Sequence, residues 1–345
     1  MTSFDDKMIY PSGSIPTFTT DFFVDYLHLD SKAFDSLVRD GFVADYSDHD
    51  HYQCGDCGGN INRDFDLPRK VGSFRCTRKG CRKRFSVWTG TFLDNSNLDL
   101  VQILHLAYLW LQGTGRDAIC NILGLAPSTV TRWIGRFRFL ACIDLHSCTE
   151  DYQFDKIGGV DENQNSIIVE VDESCFGKVK YHRGHPVEQS WVVGGVERTP
   201  QRRLFAAIVQ RRNVETLSRI ISTFVEPGST IYTDCWRGYS NDELASLGFV
   251  HDTVNHTEHF VDPVTGVHTN TIEGSWNGMK LKIPPRQRAR EFLGPNLNLF
   301  IWRRLNVNRL WSRFLKVLSK PEEMTLSRMK ALLLISWKIN WEKLI

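Results

Sequence analysis

The spacing of apolar residues changes along the chain, and each change predicts a different kind of structure. Between 97 and 111 the apolar positions Leu98, Val101, Ile103, Leu104, Leu106, Ala107, Leu109, Trp110 and Leu111 are too dense for one stripe and predict a mostly buried helix. A Gly113-Thr114-Gly115 break follows, then a short helix over 116–123, a turn over 124–127 and a third helix over 128–140. In that third helix Val130, Trp133, Ile134 and Phe137 recur at i, i+3, i+4 and i+7, one apolar face, while Ser128, Thr129, Thr131, Arg132, Arg136 and Arg138 take the other side. A helix, a Gly-containing turn and a helix that presents Ser, Thr and Arg outward is the helix-turn-helix arrangement, whose second helix enters a major groove.

Beyond a linker over 151–165 the period becomes two. Segments 167–172, 191–197 and 204–209 read as strands, 213–225 as an amphipathic helix stopped by Pro227-Gly228, 230–233 as a fourth strand and 249–254 as a weaker one. A final helix begins near Asn270 and contains Glu273. Strands interleaved with helices predict an α/β unit. Asp172 ends its first strand and Asp234 its fourth, so the two carboxylates converge at one edge if those strands are neighbours. Residues 1–50 read as an acidic, partly helical lead-in to which no function is assigned.

Charge sharpens this picture. The chain has 345 residues and a net charge of +2, but the balance is made of opposed blocks. Residues 1–50 hold ten Asp against Lys7, Lys32 and Arg39, whereas 274–320 hold eleven Lys and Arg against Glu291. Opposed blocks point to a polyanionic partner for the basic parts. At ~150 residues per domain the length predicts two or three domains. No apolar run approaches the ~18 residues of a membrane span, and the polar, acidic start lacks a secretory pattern; membrane and secreted classes are not expected.

Nine cysteines in such a chain favour metal ligands and buried thiols over disulfides. Four are grouped: Cys54 and Cys57, then eighteen residues, then Cys76 and Cys81. Two short-spaced pairs can place four thiolates tetrahedrally around one structural Zn²⁺, with Gly55, Gly58, Gly59 and Gly80 relaxing the backbone. Strand-like 73–75 and 84–87 and a run of Arg and Lys complete a zinc ribbon with a positive surface.

The acids carry the chemistry. Carboxylates are the hard oxygen ligands of Mg²⁺, and two such ions ~3.5–4 Å apart serve an in-line phosphodiester displacement. Each acid also has a plain reading: Glu170, Asp172 and Glu173 as surface charge, Asp234 as a helix cap, Glu273 as half of a capping box with Asn270. Glu273, Trp276, Asn277 and Lys280 share one helical face, Lys280 lying ~10.5 Å along the axis. Lys282, Arg286, Arg288 and Arg290 extend a basic path, and Arg303, Arg304, Arg309 and Arg313, interleaved with Trp302, Leu305, Leu310 and Trp311, read as one basic helix that tracks phosphate.

Together these residues resemble the Merlin-superfamily transposases and their bacterial insertion-sequence relatives. The resemblance rests on Val171-Asp-Glu-Ser174, Phe176-Gly-Lys178, His182-Arg-Gly-His185, Trp191-Val-Val-Gly-Gly195, Tyr232-Thr-Asp-Cys-Trp-Arg-Gly-Tyr239, Val254-Asn-His256, His259-Phe-Val-Asp-Pro263, Thr265-Gly266 and His268-Thr-Asn-Thr-Ile-Glu273, with Trp276 and Lys280. It is dense over 165–290, and the ribbon and helical segment follow the family layout. It implies a ribonuclease-H-like α/β catalytic domain at 160–320, preceded by the ribbon at 51–92 and the helix-turn-helix region at 97–145; the acidic segment 1–50 and a helical tail at 321–345 match the family poorly, and no role is assigned to them. It implies Asp172, Asp234 and Glu273 as the ligands of two Mg²⁺ or Mn²⁺ ions. Lys280 stands where the family has a lysine or arginine.

The expected function is cut-and-paste DNA transposition. Double-stranded DNA, as terminal inverted repeats and as target, is the partner, and paired ends imply a homodimer or higher oligomer. Ser128, Thr129, Arg132, Arg136, Lys280, Arg286 and Arg288 are the expected DNA contacts, and the nucleus is the expected location in a eukaryotic host. A domesticated DNA-binding protein and a structure-specific nuclease of the same fold are the alternatives.

Overall fold

The computed structural model describes residues 52–64, 73–86, 100–146, 156–177, 189–255 and 266–318, with short stretches at 88–89, 91–94 and 96–98 and the single positions Val38, Asp45, Ser47, Asp48, Val261 and Pro263. The expectations for the start of the chain, for most of the His-rich loop before 266 and for the tail after 318 lie outside the described residues. The chain divides into two units: the described residues up to Leu140 with those from Asn306 onward, and Ala141–Leu305. No described helix is long and apolar enough to cross a membrane.

In the first unit, β1 (Ile61–Asp64), β2 (Ser73–Cys76) and β3 (Arg84–Ser86) form an antiparallel sheet in that order. The pattern of β1 marks no strand, because Ile61 is its one apolar residue; its pairing with β2 from Ile61↔Cys76 to Asp64↔Ser73 is what makes it one. Three helices follow, α1 (Leu100–Leu111), α2 (Arg116–Leu123) and α3 (Pro127–His146). Helix α2 stops at Gly124, whose φ of +63° lets its N–H return to the Cys120 carbonyl, a left-handed closure that glycine adopts without strain. Helix α3 buries Val130, Trp133 and Phe137 and exposes Ser128, Thr131 and Arg132 as its periodicity predicts, but Thr129, Arg136 and Arg138, expected on the outward side, are half-buried.

The second unit is built on a five-stranded sheet. Its strands are β5 (Ile168–Phe176), β6 (Ser190–Glu197), β7 (Leu204–Val209), β9 (Thr230–Asp234) and β10 (Val250–Val254), and a minor parallel pair, β4 (Ile157–Gly158) and β8 (Val225–Glu226), stands apart from it. The order across the sheet is β10-β9-β5-β6-β7. β5, β6 and β7 run as an antiparallel meander, while β9 and β10 add in parallel on the other edge. The parallel crossover is made by α4 (Val214–Phe224), which begins at Asn213, whose side chain accepts the Thr216 N–H. Further helices are α5 (Asn241–Ser246), α6 (Asn270–Lys282) and α7 (Arg290–Leu305).

Strand alternation sends the two sheet faces into different cores. Val169, Val171 and Val193 pack with Leu217, Ile220 and Ile221 of α4. Phe176, Val192 and Val196 pack with Ile272, Trp276 and Met279 of α6 and Leu293 and Leu297 of α7. A sheet covered by helices on both faces is the three-layer α/β arrangement.

Two expectations need correction. Asp172 does not end its strand: β5 continues to Phe176 because its antiparallel pairing with β6 carries on, although its pairing with β9 stops at Glu170. The basic C-terminal stretch is not one helix. It breaks after Leu305 and resumes as α8 (Leu310–Leu318), whose Trp311 and Phe314 pack in the first unit against Tyr108, Trp110 and Phe137.

Candidate functional site

The first two acids lie just beyond the paired part of two parallel strands. Ile168, Val169 and Glu170 of β5 stand opposite Thr230, Ile231 and Tyr232 of β9. Counting two residues on brings Asp172 level with Asp234, the last residue of β9. Asp172 Oδ1 accepts its neighbour Glu173's N–H at 2.7 Å, and Asp234 Oδ1 accepts the Trp236 N–H at 3.0 Å. Asp234 does not cap the next helix; the Ser240 hydroxyl does, accepting from the Glu243 N–H.

The third acid comes from α6, and buried polar contacts fix that helix on the sheet. Glu170 is fully buried, and its carboxylate accepts the N–H groups of Thr271 and Ile272 at 2.8 and 3.0 Å and the Thr271 hydroxyl at 2.8 Å. It therefore caps α6 from across the core, where a helix start favours negative charge. The Arg198 guanidinium completes the group, 2.6 Å from Glu170 Oε1 and 2.8 Å from the His268 carbonyl. One strand step of two residues further, Asp172 Oδ2 accepts the Trp276 indole N–H at 2.9 Å. The spacings match: two residues of strand cover ~6.6 Å and five residues of helix ~7.5 Å. Glu273 lies between these contacts, solvent-exposed, with the Thr269 hydroxyl 3.3 Å from its Oε1.

The Asp172 carboxyl feels the other two acids. Burial pushes the Asp172 carboxyl up to about 6, the Glu173 N–H and Trp276 indole oppose the rise, and the negative fields of Asp234 and Glu273 add to it. Carboxylate oxygens are the donor type that hard cations such as Mg²⁺ prefer. Among the described residues, the only group of three or more metal-ligating side chains whose ligand atoms all lie within 4.8 Å of one another is the four ribbon cysteines, and the three acids do not form such a group.

Residues 165–284 match the family model of the ISXO2-like transposase domain. That match supports a DDE transposase family, and its span contains Asp172, Asp234, Glu273 and Lys280. No curated protein matches the chain.

Within the transposase-domain segment, Lys280 is half-buried with its ammonium 5.6 Å from the centre of the Phe176 ring. Burial and then Arg288 lower its pKa, against the pull of Cys175 and Asp172. Arg288 itself donates to the carbonyls of Ile283, at 2.9 Å, and Lys280, closing the C-terminus of α6. Arg286 is exposed.

Sequence patterns did not single out the group on the opposite face of β5. Glu173 is nearly buried, accepts the Tyr239 hydroxyl and lies 3.7 Å from Arg212. Burial first, and then the nearby Asp172 and Asp234, push its carboxyl up to about 7. Arg212 stacks over Trp191, 3.4 Å from the ring centre, and over Trp236 at 5.0 Å. Only the alternation of Asp172 and Glu173 could have signalled that adjacent acids serve different sides.

In the first unit the four thiols gather as their spacing predicts. Cys54 and Cys81 sulfurs are 3.7 Å apart and those of Cys57 and Cys76 3.5 Å. Sulfurs ~2.3 Å from a common tetrahedral centre stand at about this separation, so the residues fit zinc. Gly59 matters by proximity: a Cβ there would stand 3.2 and 3.3 Å from the Cys76 and Cys57 sulfurs. Gly58 takes a φ of +66°, but the left-handed position of the second turn belongs to Arg82, at +50°, and not to Gly80. The Gly59 N–H lowers the Cys57 thiol to about 7. On α3, Ser128 and Arg132 are exposed and Thr129 half-buried, while Arg136 lies over the Trp133 ring at 4.8 Å, with a pKa lowered by burial and then by Arg132.

Proposed function

We propose that this chain is a Merlin-like cut-and-paste DNA transposase with a ribonuclease-H-like catalytic domain. What supports this reading is that Asp172 and Asp234 each lie two residues beyond the last residues paired between β5 and β9, and that the Asp172 carboxyl feels the fields of both Asp234 and Glu273. The sheet order supports it too, since an antiparallel meander extended by two parallel strands puts the first and fourth strands of the unit next to each other.

Asp172, Asp234 and Glu273 would hold Mg²⁺ or Mn²⁺, most simply two ions, which supply a more acidic water and neutralise charge on the leaving oxygen. The protein's own residues do the positioning. Trp276 and the Glu173 N–H fix both oxygens of Asp172, and Glu170 clamps the helix that carries Glu273. Lys280 offers a cation one helical face along for a substrate phosphate. Water attacks the scissile phosphorus, the bond to the 3′-oxygen breaks, and that oxygen leaves as a 3′-hydroxyl. The freed hydroxyl then attacks a target phosphodiester, with no covalent protein intermediate. The Zn²⁺ ribbon and the α2–α3 pair, as a helix-turn-helix with Ser128, Thr129, Arg132 and Arg136, would bind the terminal repeats, and paired ends call for a homodimer or larger assembly.

The test is an end-containing DNA with Mg²⁺. Cleavage followed by joining supports the reading, cleavage alone supports a nuclease, and binding alone a domesticated protein. Asp234→Asn should abolish cleavage while end binding survives. A variant that still cuts would remove Asp234 from the site.

A further inference from the structure

We propose that the pocket beside Asp234 binds a single unpaired nucleobase of the DNA strand being processed, stacked on Trp236; this rests on the transposase reading and extends it to a base-binding subsite. The pocket has a volume of about 370 Å³ and is lined by Trp236, Arg237, Tyr239, Asn241 and His251 among others. That is room for a base with part of its sugar.

Its chemistry matches one aromatic ligand. Trp236 is 43% exposed, unusual for the largest side chain in a folded unit. It is nevertheless held in place. Its backbone N–H donates to Asp234 Oδ1, Arg212 lies over its ring, and its edge rests on Gly238, where a Cβ would meet Nε1 at 2.7 Å. An aromatic fixed in orientation yet open to solvent is a stacking platform. The pocket wall behind the ring is rigid, its polar atoms being bonded within the protein. His251 is held between the Thr233 hydroxyl, at 2.9 Å, and the Asn241 side chain, and Tyr239 is tied to Glu173. Arg237 is exposed beside the ring and supplies a cation for the attached phosphate.

Position gives the stack a purpose. Trp236 is two residues from Asp234 and hydrogen-bonded to it, so a base on the ring belongs to a nucleotide close to the scissile phosphate. Extruding that nucleotide bends the strand away from its complement and exposes the phosphorus for in-line attack, at the cost of unstacking one base.

The test uses the full chain and an oligothymidylate carrying one 5-iododeoxyuridine, irradiated and mapped by peptide mass spectrometry. The expected crosslink is to Trp236 or Tyr239. Trp236→Ala and Trp236→Leu should weaken cleavage of end DNA on the order of five- to a hundredfold, the range of one base–aromatic stack, and Trp236→Phe should retain most of it. With an abasic site at the flanking nucleotide, wild type and Trp236→Ala should become equal. Crosslinks that map elsewhere, or a Trp236→Ala effect that persists on the abasic DNA, would overturn the subsite. A crosslink at Trp236 in a protein that cuts no DNA would keep the subsite and overturn the transposase reading.

Discussion

Trp276 reaches Asp172 across a gap that Gly194 leaves open. Gly194 is the residue opposite Asp172 on β6, and a Cβ there would stand 2.5 Å from Cη2 of the indole. The glycine pair in Trp191-Val-Val-Gly-Gly195 is thereby explained, since a Cβ on Gly195 would in turn run into the Phe205 ring. Gly194→Val should displace the indole and lower DNA cleavage without weakening end binding by the ribbon and α3. Trp276→Phe keeps the ring and removes only the N–H. A lost hydrogen bond to a charged group is worth about 1.5–3 kcal/mol, so cleavage should fall roughly ten- to a hundredfold. Full activity in both variants would separate the indole from the function of Asp172.

Glu170 makes a different prediction, one about stability. Its carboxylate has no exposed surface and satisfies two helix N–H groups, a hydroxyl and a guanidinium. Removing one member of a buried charge pair costs about 3–5 kcal/mol, and Arg198 keeps 21% of its surface in water, which favours the lower figure. At about 2–4 °C per kcal/mol for a unit of this size, Glu170→Gln should lower the melting temperature by roughly 6–12 °C. It should also reduce cleavage, because α6 carries Glu273. Calorimetry on the variant decides it, and an unchanged melting temperature would mean that Glu170 does not anchor the helix.

The contrast between these residues shows what was legible in the chain alone. Local periods announced α2, α3 and the strands that hold Asp172 and Asp234, because each buries one face against a neighbour. The cysteine spacing announced the thiol cluster. Glu170 looked like surface charge next to Asp172, since nothing local says that a strand acid will cap a helix a hundred residues later. Glu173 was hidden by its proximity to Asp172, although the pleat sends it to Tyr239 and Arg212. The break after Leu305 was missed because continuing Arg and Trp positions imitate one helix, whereas α7 packs on the sheet and α8 on the aromatic cluster of the first unit.

The thiol cluster should hold one zinc per chain. Metal analysis of the purified protein should return one equivalent, and Cys54→Ser or Cys76→Ser should abolish it, with loss of the β1–β3 sheet by amide exchange. Structural zinc carries folding free energy of its own, so a strong chelator should destabilise the ribbon while the α/β unit keeps its melting transition. Unchanged zinc content in both cysteine variants would assign the metal elsewhere.

Acid should weaken the α/β unit through Glu197. Its side chain is nearly buried beside Arg203 at 2.9 Å, and its oxygens also accept the Thr199 hydroxyl at 2.6 Å and the Gly158 N–H at 3.1 Å. Burial alone would raise its pKa, but the bonds from Arg203, Thr199 and Gly158 outweigh burial and hold it below the ordinary 4.5. The unfolded chain therefore binds this proton more readily than the folded one. The stabilisation is complete above the unfolded value near 4.5 and disappears as the pH falls through the lower folded value. Denaturant titrations should show wild type losing stability below about pH 4.5, while Glu197→Gln, already weaker at neutral pH, should lose less over the same interval. Parallel curves for the two proteins would place the acid sensitivity in other carboxylates.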